Sequence, residues 1–241
     1  MLGRKTIQLE AEEWALLESI PLVCGLPDTL VSRLAKEQVP LRLEKGTVLF
    51  QQGQTETDVH VVLGGWIKLF RTGETGTETI IRIAGAGDVL GEADLLLGEG
   101  RQTCAETITQ ARVLTLDGQK LASQMRRDPV LGLRMAASLS AQVQHLTKHV
   151  ENIKLFDAPQ RTARFLLDLC PEQTGACSIS LPYEKAVIAE WLGMKPASFS
   201  RALARLRGFG VTVDRDSILI SDTKRLVDLT HMSADEKFQG C

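Results

Sequence analysis

No apolar run in this chain approaches the length of a membrane span, and the amino-terminal stretch MLGRKTIQLEAEEW lacks the apolar h-region of a secretory signal. These absences set the expectation of a cytoplasmic protein with no membrane partner. Cysteine is scarce and scattered. Cys24, Cys104, Cys170, Cys177 and Cys241 are odd in number and none has CxxC spacing, so neither a zinc site nor a disulfide framework is indicated. Positive charge is not in excess. A net charge of -2 excludes a chain coated in basic residues, so any contact with nucleic acid has to be local. Enzyme chemistry also lacks a constellation: Glu92 and Asp94, the nearest acidic pair, have no histidine or nucleophile close by in sequence. What is present is a globular composition, 44% apolar and 24% charged, in 241 residues that can form one large domain or two ordinary ones.

Residues 8 to 36 have helical spacing in two pieces, separated by Pro21 and the Gly25-Leu26-Pro27-Asp28 run, with Asp28 as the expected N-cap. From Val39 the texture changes to short alternating runs, LRLEKGTVLF, DVHVVLGGWIKLF, ETIIRIAGAGDVL and ARVLTL, cut by glycines. Short strands with glycine turns at near-regular spacing predict a small antiparallel sandwich or barrel. After Asp117, which caps a short helix, Asp128-Pro129 opens a long one reaching about Phe156. On it Gly132, Ala136, Leu139, Val143, Leu146, Val150 and Ile153 follow alternating four- and three-residue steps, a narrow seam suited to pairing with an identical helix in a homodimer. Asp157-Ala158-Pro159 interrupts that helix as a hinge. The domains expected are therefore 1–127, a sensing domain with amino-terminal helices, 128–157, the long helix and hinge, and 158–241.

The last domain carries the most informative stretch, YEKAVIAEWLGMKPASFSRALARLR from Tyr183 to Arg207. Its spacing predicts two short helices joined at Gly193, with Ala189 allowing close approach. In the second helix Pro196 suits the first turn, and Phe199, Ala202, Leu203 and Leu206 form the apolar stripe. The other face carries Ser198, Ser200, Arg201, Arg205 and Arg207. Between Glu184 and Val211 five basic residues stand against two acidic ones, a local charge of +3 where phosphates would be met. Val211-Thr212-Val213 and Ile218-Leu219-Ile220, joined by Asp214-Arg215-Asp216, read as a hairpin wing. A final helix follows around Asp222 to Leu229, and the tail from His231 is expected to fray.

In this order, sheet domain, long helix, hinge and winged helix-turn-helix, the chain resembles the CRP/FNR family of bacterial transcription regulators over about residues 15 to 228. Its most specific pieces are Gly91-Glu92 in VLGEADLL, the long helix ending at Asp157, and FSRALARL. The resemblance implies an α+β protein: an N-terminal antiparallel β-barrel of the cyclic-nucleotide-binding jelly-roll type, a long dimerisation helix, and a C-terminal winged helix-turn-helix. It implies an effector sensed in the barrel, a homodimer, a palindromic double-stranded DNA operator and RNA polymerase as partner. The DNA contacts it assigns are Lys195, Pro196, Ala197, Ser198, Ser200, Arg201 and Arg205.

For the effector site the resemblance points to Gly91, Glu92, Arg101, Gln102, Thr103, Leu146 and Thr147. A cyclic-nucleotide pocket of the family pairs Gly-Glu with Arg-Ser/Thr-Ala. Placing Thr103 and Cys104 on the last two puts Gln102 where the arginine should stand, with Arg101 one residue early and, by strand alternation, facing away. A neutral amide does not replace guanidinium against phosphate, so cyclic AMP is disfavoured. An iron-sulfur cluster is disfavoured too, because only Cys24 lies near the amino terminus. Haem remains open, with His60 and His145 as ligand candidates, and the LPYEK and PASFSR text is most similar to the nitrosative-stress (DNR-like) branch. Where family members carry a glutamate that reads cytosine, this chain has Ala197. The competing reading is a cyclic-nucleotide-binding module acting on a protein partner, which would not require the arginine face at Tyr183 to Arg207.

Overall fold

Glycine turns cut the middle of the chain into strands too short to stand alone, and their apolar residues are shared between two separate cores. The computed structural model describes residues 7–73, 75–172 and 174–231. The beginning of the amino-terminal stretch and the tail beyond His231 therefore lie outside the described residues. Helix α1 (Ala11–Ser19) opens with the Glu13 carboxylate accepting from the Glu10 N–H at 2.9 Å. Helix α2 (Asp28–Leu34) starts one residue earlier than expected: Pro27 takes the cap position and Asp28 is the first helical residue.

The sheet region comprises β1 (Leu41–Leu43), β2 (Val48–Phe50), β3 (Val59–Gly64), β4 (Ile67–Thr72), β5 (Glu78–Ala84), β6 (Val89–Leu90), helix α3 (Glu92–Leu97), β7 (Cys104–Thr107) and β8 (Ala111–Leu116). These strands form two antiparallel four-stranded sheets, ordered β1-β8-β3-β6 and β2-β7-β4-β5. The result is a jelly roll whose sheets stay open at their edges, so barrel is the less apt of the two expected terms. Phe50, Val62, Ile67, Ala105 and Val113 fill the space between the sheets. On the outer side of β3, Val59, Val61 and Leu63 meet Leu17 of α1, Val31 of α2 and residues of the helices that follow β8. That double packing explains why β3 is buried on both faces where a strand of an exposed sheet alternates.

Asp117 caps α4 (Gly118–Arg127) by accepting from the Lys120 N–H at 3.0 Å. Helix α5 (Pro129–Leu155) then directs Leu131, Met135 and Ser138 into the first core. Of its expected seam, Leu139 packs against that same core, whereas Val143 is 61% exposed and Val150 48%. The chain divides into two compact units, Met1–His145 and Leu146–Cys241, so the division falls inside α5, where the sequence places 128–157 in a piece of its own.

The second unit continues through α6 (Ala158–Asp168), β9 (Cys177–Ser180), α7 (Lys185–Trp191), α8 (Pro196–Leu206), a 3-10 turn (Arg207–Phe209), β10 (Val211–Asp214), β11 (Ser217–Ile220) and α9 (Thr223–His231). At the expected hinge, Asp157 and Gln160 form a reciprocal capping box, and Gln160 also donates to the Leu229 carbonyl at 3.2 Å. Strands β10, β11 and β9 make one antiparallel sheet, with Arg215 at φ 53° turning the hairpin. One expectation is overturned here. Cys170 and Cys177 are joined in a disulfide, with Cα atoms 6.2 Å apart. The fold brings the end of α6 beside the start of β9, a proximity that a search for CxxC spacing does not register.

Gly193 holds the α7–α8 turn at φ +65°, and a Cβ added there would lie 3.3 Å from Arg161 Nη1 and 3.6 Å from Ile153. Left-handed backbone costs a non-glycine residue about 1–2 kcal/mol. Gly193→Ala is therefore expected to lower stability by about that amount in urea denaturation, and an unchanged midpoint would contradict the turn geometry.

Candidate functional site

Two places in the fold gather the residues singled out by the sequence. The first is the outer face of α8. In α7, Ile188 and Ala189 are fully buried and Leu192 nearly so, and the Met194 N–H closes the turn onto the Ala189 carbonyl at 2.9 Å. Helix α8 then buries Phe199, Ala202, Leu203 and Leu206. Because those four occupy the inward stripe, Lys195, Pro196, Ala197, Ser200, Arg201 and Arg205 are left exposed, and Ser198 is half-buried. Arg201 Nη2 donates to Ser198 Oγ at 3.2 Å, which steadies the guanidinium on the helix surface. An open groove of about 450 Å³ runs beside this face, lined by Ala158 and Pro159 at the start of α6 and by Ser198, Arg201, Ala202, Ala204 and Arg205. In the wing, Lys185 Nζ donates to the Arg215 carbonyl. From the other side, His149 on α5 stacks on Trp191 of α7 with ring centroids 3.5 Å apart, and burial lowers its pKa.

The second place is the interior of the jelly roll beside α3. Gly91 has φ +91°, and a Cβ there would lie 2.2 Å from Arg101 Nη1 and 2.8 Å from the Asp58 carbonyl. Only glycine lets the guanidinium lie against the backbone at this point. Arg101 is 1% exposed. It donates through Nη1 to Asp94 Oδ2 at 3.2 Å and through Nη2 to the Asp58 carbonyl at 2.6 Å, and it lies 4.2 Å from the centroid of the Phe50 ring. Its Nε is buried with no hydrogen-bond partner among the described residues.

This corrects the expected orientation. Arg101 faces inward and Gln102 is exposed, because β7 begins only at Cys104 and alternation does not reach back to Arg101. Arg101 instead pairs by backbone with the Gly53-Gln54 turn: its N–H donates to the Gln54 carbonyl at 2.8 Å and its carbonyl accepts from Gly53 at 2.9 Å. Gly91, Glu92 and Arg101 are thus brought together, whereas Gln102 and Thr103 lie toward the outside. Leu146 and Thr147, at exposed positions on α5, belong to the second unit.

Glu92 is 1% exposed and is held by α5, accepting from Ser138 Oγ at 2.5 Å and from Gln142 Nε2. Gln142 in turn accepts from Arg82 Nη1 at 2.9 Å, and Arg82 pairs with Asp88. Burial raises the Glu92 pKa, and the two α5 donors pull the other way. The sequence reading singled out Glu92 and Arg101 but missed Ser138 and Gln142 as partners of the first and Asp94 as partner of the second. Ser138 and Gln142, four apart on one face of a helix otherwise apolar on that side, were the available signal.

Of the haem-ligand candidates, His145 is exposed on α5, whereas His60 is buried and engaged at both ring nitrogens. Its Nε2 faces Arg101 Nη2 at 3.4 Å, which can only donate, so Nε2 accepts and Nδ1–H donates to Thr115 Oγ1 at 3.1 Å. The structure thus gives His60 a role in packing the Arg101 guanidinium in place of an open ligand position. Burial and then the Arg101 charge lower its pKa to about 4, against an ordinary value of 6.5. A depressed folded-state pKa contributes stability that is fully present above about pH 6.5 and lost as pH falls toward 4. Between those pH values the native protein is expected to lose about 3 kcal/mol more than His60→Gln in urea denaturation, and equal pH slopes would contradict the neutral buried ring.

A jelly roll with a buried glutamate and arginine, followed by a helix-turn-helix with an exposed arginine face, defines an effector-domain DNA-binding regulator. Residues 40–128 match the cyclic nucleotide-binding domain model and residues 160–229 the Crp-like helix-turn-helix domain model. A solved structure from Ruegeria pomeroyi, assigned to the cyclic nucleotide binding proteins, shares 34% identity and a TM-score of 0.70, covering 94% of this chain and 100% of the other. The CRP-like cAMP-activated global transcriptional regulator of Mycobacterium tuberculosis is 25% identical over 207 residues, 84% of this chain and 92% of its own. FixK2 from Bradyrhizobium japonicum, at 21% identity and a TM-score of 0.69 over 81% of this chain and 98% of its own, shares the fold. The chain belongs to the CRP/FNR family of transcription regulators. Its relatives are regulators, and no described helix is long and apolar enough to cross a membrane.

Proposed function

We propose that this protein is a cytoplasmic homodimeric regulator that reads a palindromic operator and acts on RNA polymerase under the control of a small effector in the jelly roll. The observation that carries the reading is the α8 surface, where Lys195, Pro196, Ala197, Ser198, Ser200, Arg201 and Arg205 stand over a stripe of four buried apolar residues. Arg201 has the donor geometry for guanine O6 and N7, and Ala197 offers only apolar contact, as to a thymine methyl. Dimerisation is supported by the α5 seam. A single chain leaves Val143, Leu146, Val150 and Ile153 between 37% and 61% exposed, at the heptad steps along which two such helices pair. The matched helix-turn-helix disfavours a module that acts only on a protein partner.

Effector control runs through Glu92. Both of its oxygens are held by α5, so a ligand that takes them releases Ser138 and Gln142 and alters the packing of the helix that carries the seam. Cyclic AMP fits poorly. A cyclic phosphate approaching Arg101 meets the Asp94 carboxylate already paired there. Haem is the ligand to test, with His145 as the histidine candidate left open and the nitrosative-stress branch as the setting that the LPYEK and PASFSR text suggests.

Gel-shift titration over several salt concentrations separates the roles on α8. Arg201→Ala should cost about 1–3 kcal/mol, roughly 5- to 150-fold, and relax preference at one guanine. Arg205→Ala should weaken binding evenly across sequences and reduce the salt slope by about 1. Equal, sequence-independent losses from both variants would contradict Arg201 as a base reader. In the same assay cyclic AMP at millimolar concentration should leave operator affinity unchanged, and a clear tightening would contradict the effector reading.

A further inference from the structure

Cys170 and Cys177 take no part in DNA reading or effector binding, yet they are bonded within the DNA-binding unit. Cys170 follows α6 and Cys177 opens β9, where it pairs in register with Ile220 of β11. Both belong to the core that contains Phe165, Leu166 and Phe199. The bond therefore ties α6, which packs against α8, to the sheet that carries the wing. Cys170 and Cys177 are themselves 9% and 8% exposed, and the loop between them is exposed at Pro171, Glu172, Thr174, Gly175 and Ala176. Among the described residues, the other cysteines, Cys24 and Cys104, are free.

A regulator that binds DNA works among reducing thiols, where a paired cysteine bridge is a redox site more often than a permanent staple. We infer that Cys170 and Cys177 form a reversible thiol–disulfide site through which the low-molecular-weight thiol pool sets the stability of the DNA-binding unit. The inference rests on the DNA-binding reading for its compartment. In the oxidising direction one cysteine thiolate attacks a sulfur of glutathione disulfide, forming a mixed disulfide and releasing one glutathione thiolate. The second cysteine thiolate then attacks the protein sulfur of that mixed disulfide, closing the Cys170–Cys177 bond and releasing the second glutathione. Two protein thiols are oxidised, one small disulfide is reduced to two thiols, and no other oxidant is required.

Closing this short loop restricts the unfolded chain, so the oxidised protein should melt roughly 5–10 °C higher than the reduced one. The test equilibrates the full-length protein in buffers spanning reduced to oxidised glutathione, traps free thiols with a maleimide, locates them by mass spectrometry and records the melting temperature of each sample. The 170/177 pair should pass from two trapped thiols to none within the series, with the melting shift following it. Cys170→Ser and Cys177→Ser should each remove the redox dependence of melting. A pair that stays bonded in the most reducing buffer, stays free in the most oxidising one, or changes state without moving the melting temperature overturns the inference. Operator binding measured in parallel is a separate readout. Failure to bind DNA in either redox state would count against the DNA-binding reading and leave the thiol titration to be judged alone.

Discussion

The burial of four side chains on one short helix determines what the carboxy-terminal unit offers to a partner. Phe199, Ala202, Leu203 and Leu206 have to leave water, and a helix of 3.6 residues per turn then fixes the position of everything between them. Ser200, Arg201 and Arg205 face outward as a geometric consequence. Ala189 and Gly193 serve the same burial: the small side chain lets α7 and α8 approach, and the left-handed glycine turns the chain in the space left beside Arg161 and Ile153. The wing sheet completes the core behind α8 through Ile218 and Ile220, so the exposed face of α8 and its support are one packed object.

In the jelly roll the dominant constraint is polar. A carboxylate and a guanidinium buried among aliphatic side chains have to be hydrogen-bonded, and each recruits partners that define the local structure. Arg101 claims Asp94, the Asp58 carbonyl and the acceptor nitrogen of His60, and it forces glycine at position 91. Glu92 claims Ser138 and Gln142 and thereby fastens α5 to the start of α3. The same helix contributes Leu131 and Met135 to one core and His149 to a stack on Trp191 in the second unit, and it leaves Val143, Leu146, Val150 and Ile153 exposed.

Periodicity made most of this legible. The helix-turn-helix, the wing hairpin, the Asp117 cap and the long helix could be read because each depends on local spacing, on residues that punctuate the chain or on caps. The closed barrel could not be separated from an open pair of sheets, since strand spacing does not reveal which edges meet. Arg101 was misplaced because alternation was extended into residues that are not in a strand, where pairing with the Gly53-Gln54 turn sets the direction. His60 looked available because sequence shows no burial, and the Cys170–Cys177 bridge was missed because it depends on α6 and β9 meeting in space. The partners of Glu92 lie 46 and 50 residues away along the chain, beyond the reach of any motif.

Selection of bound duplexes from a random DNA library by the full-length protein, followed by footprinting of the winners, addresses the central claim most directly. Two inverted half-sites with centres about one helical turn apart, or a multiple of it, each holding a guanine whose loss abolishes selection, are the expected product of a two-fold dimer reading through α8. Recovery of a single half-site, or of no shared sequence at low and high salt alike, would contradict it.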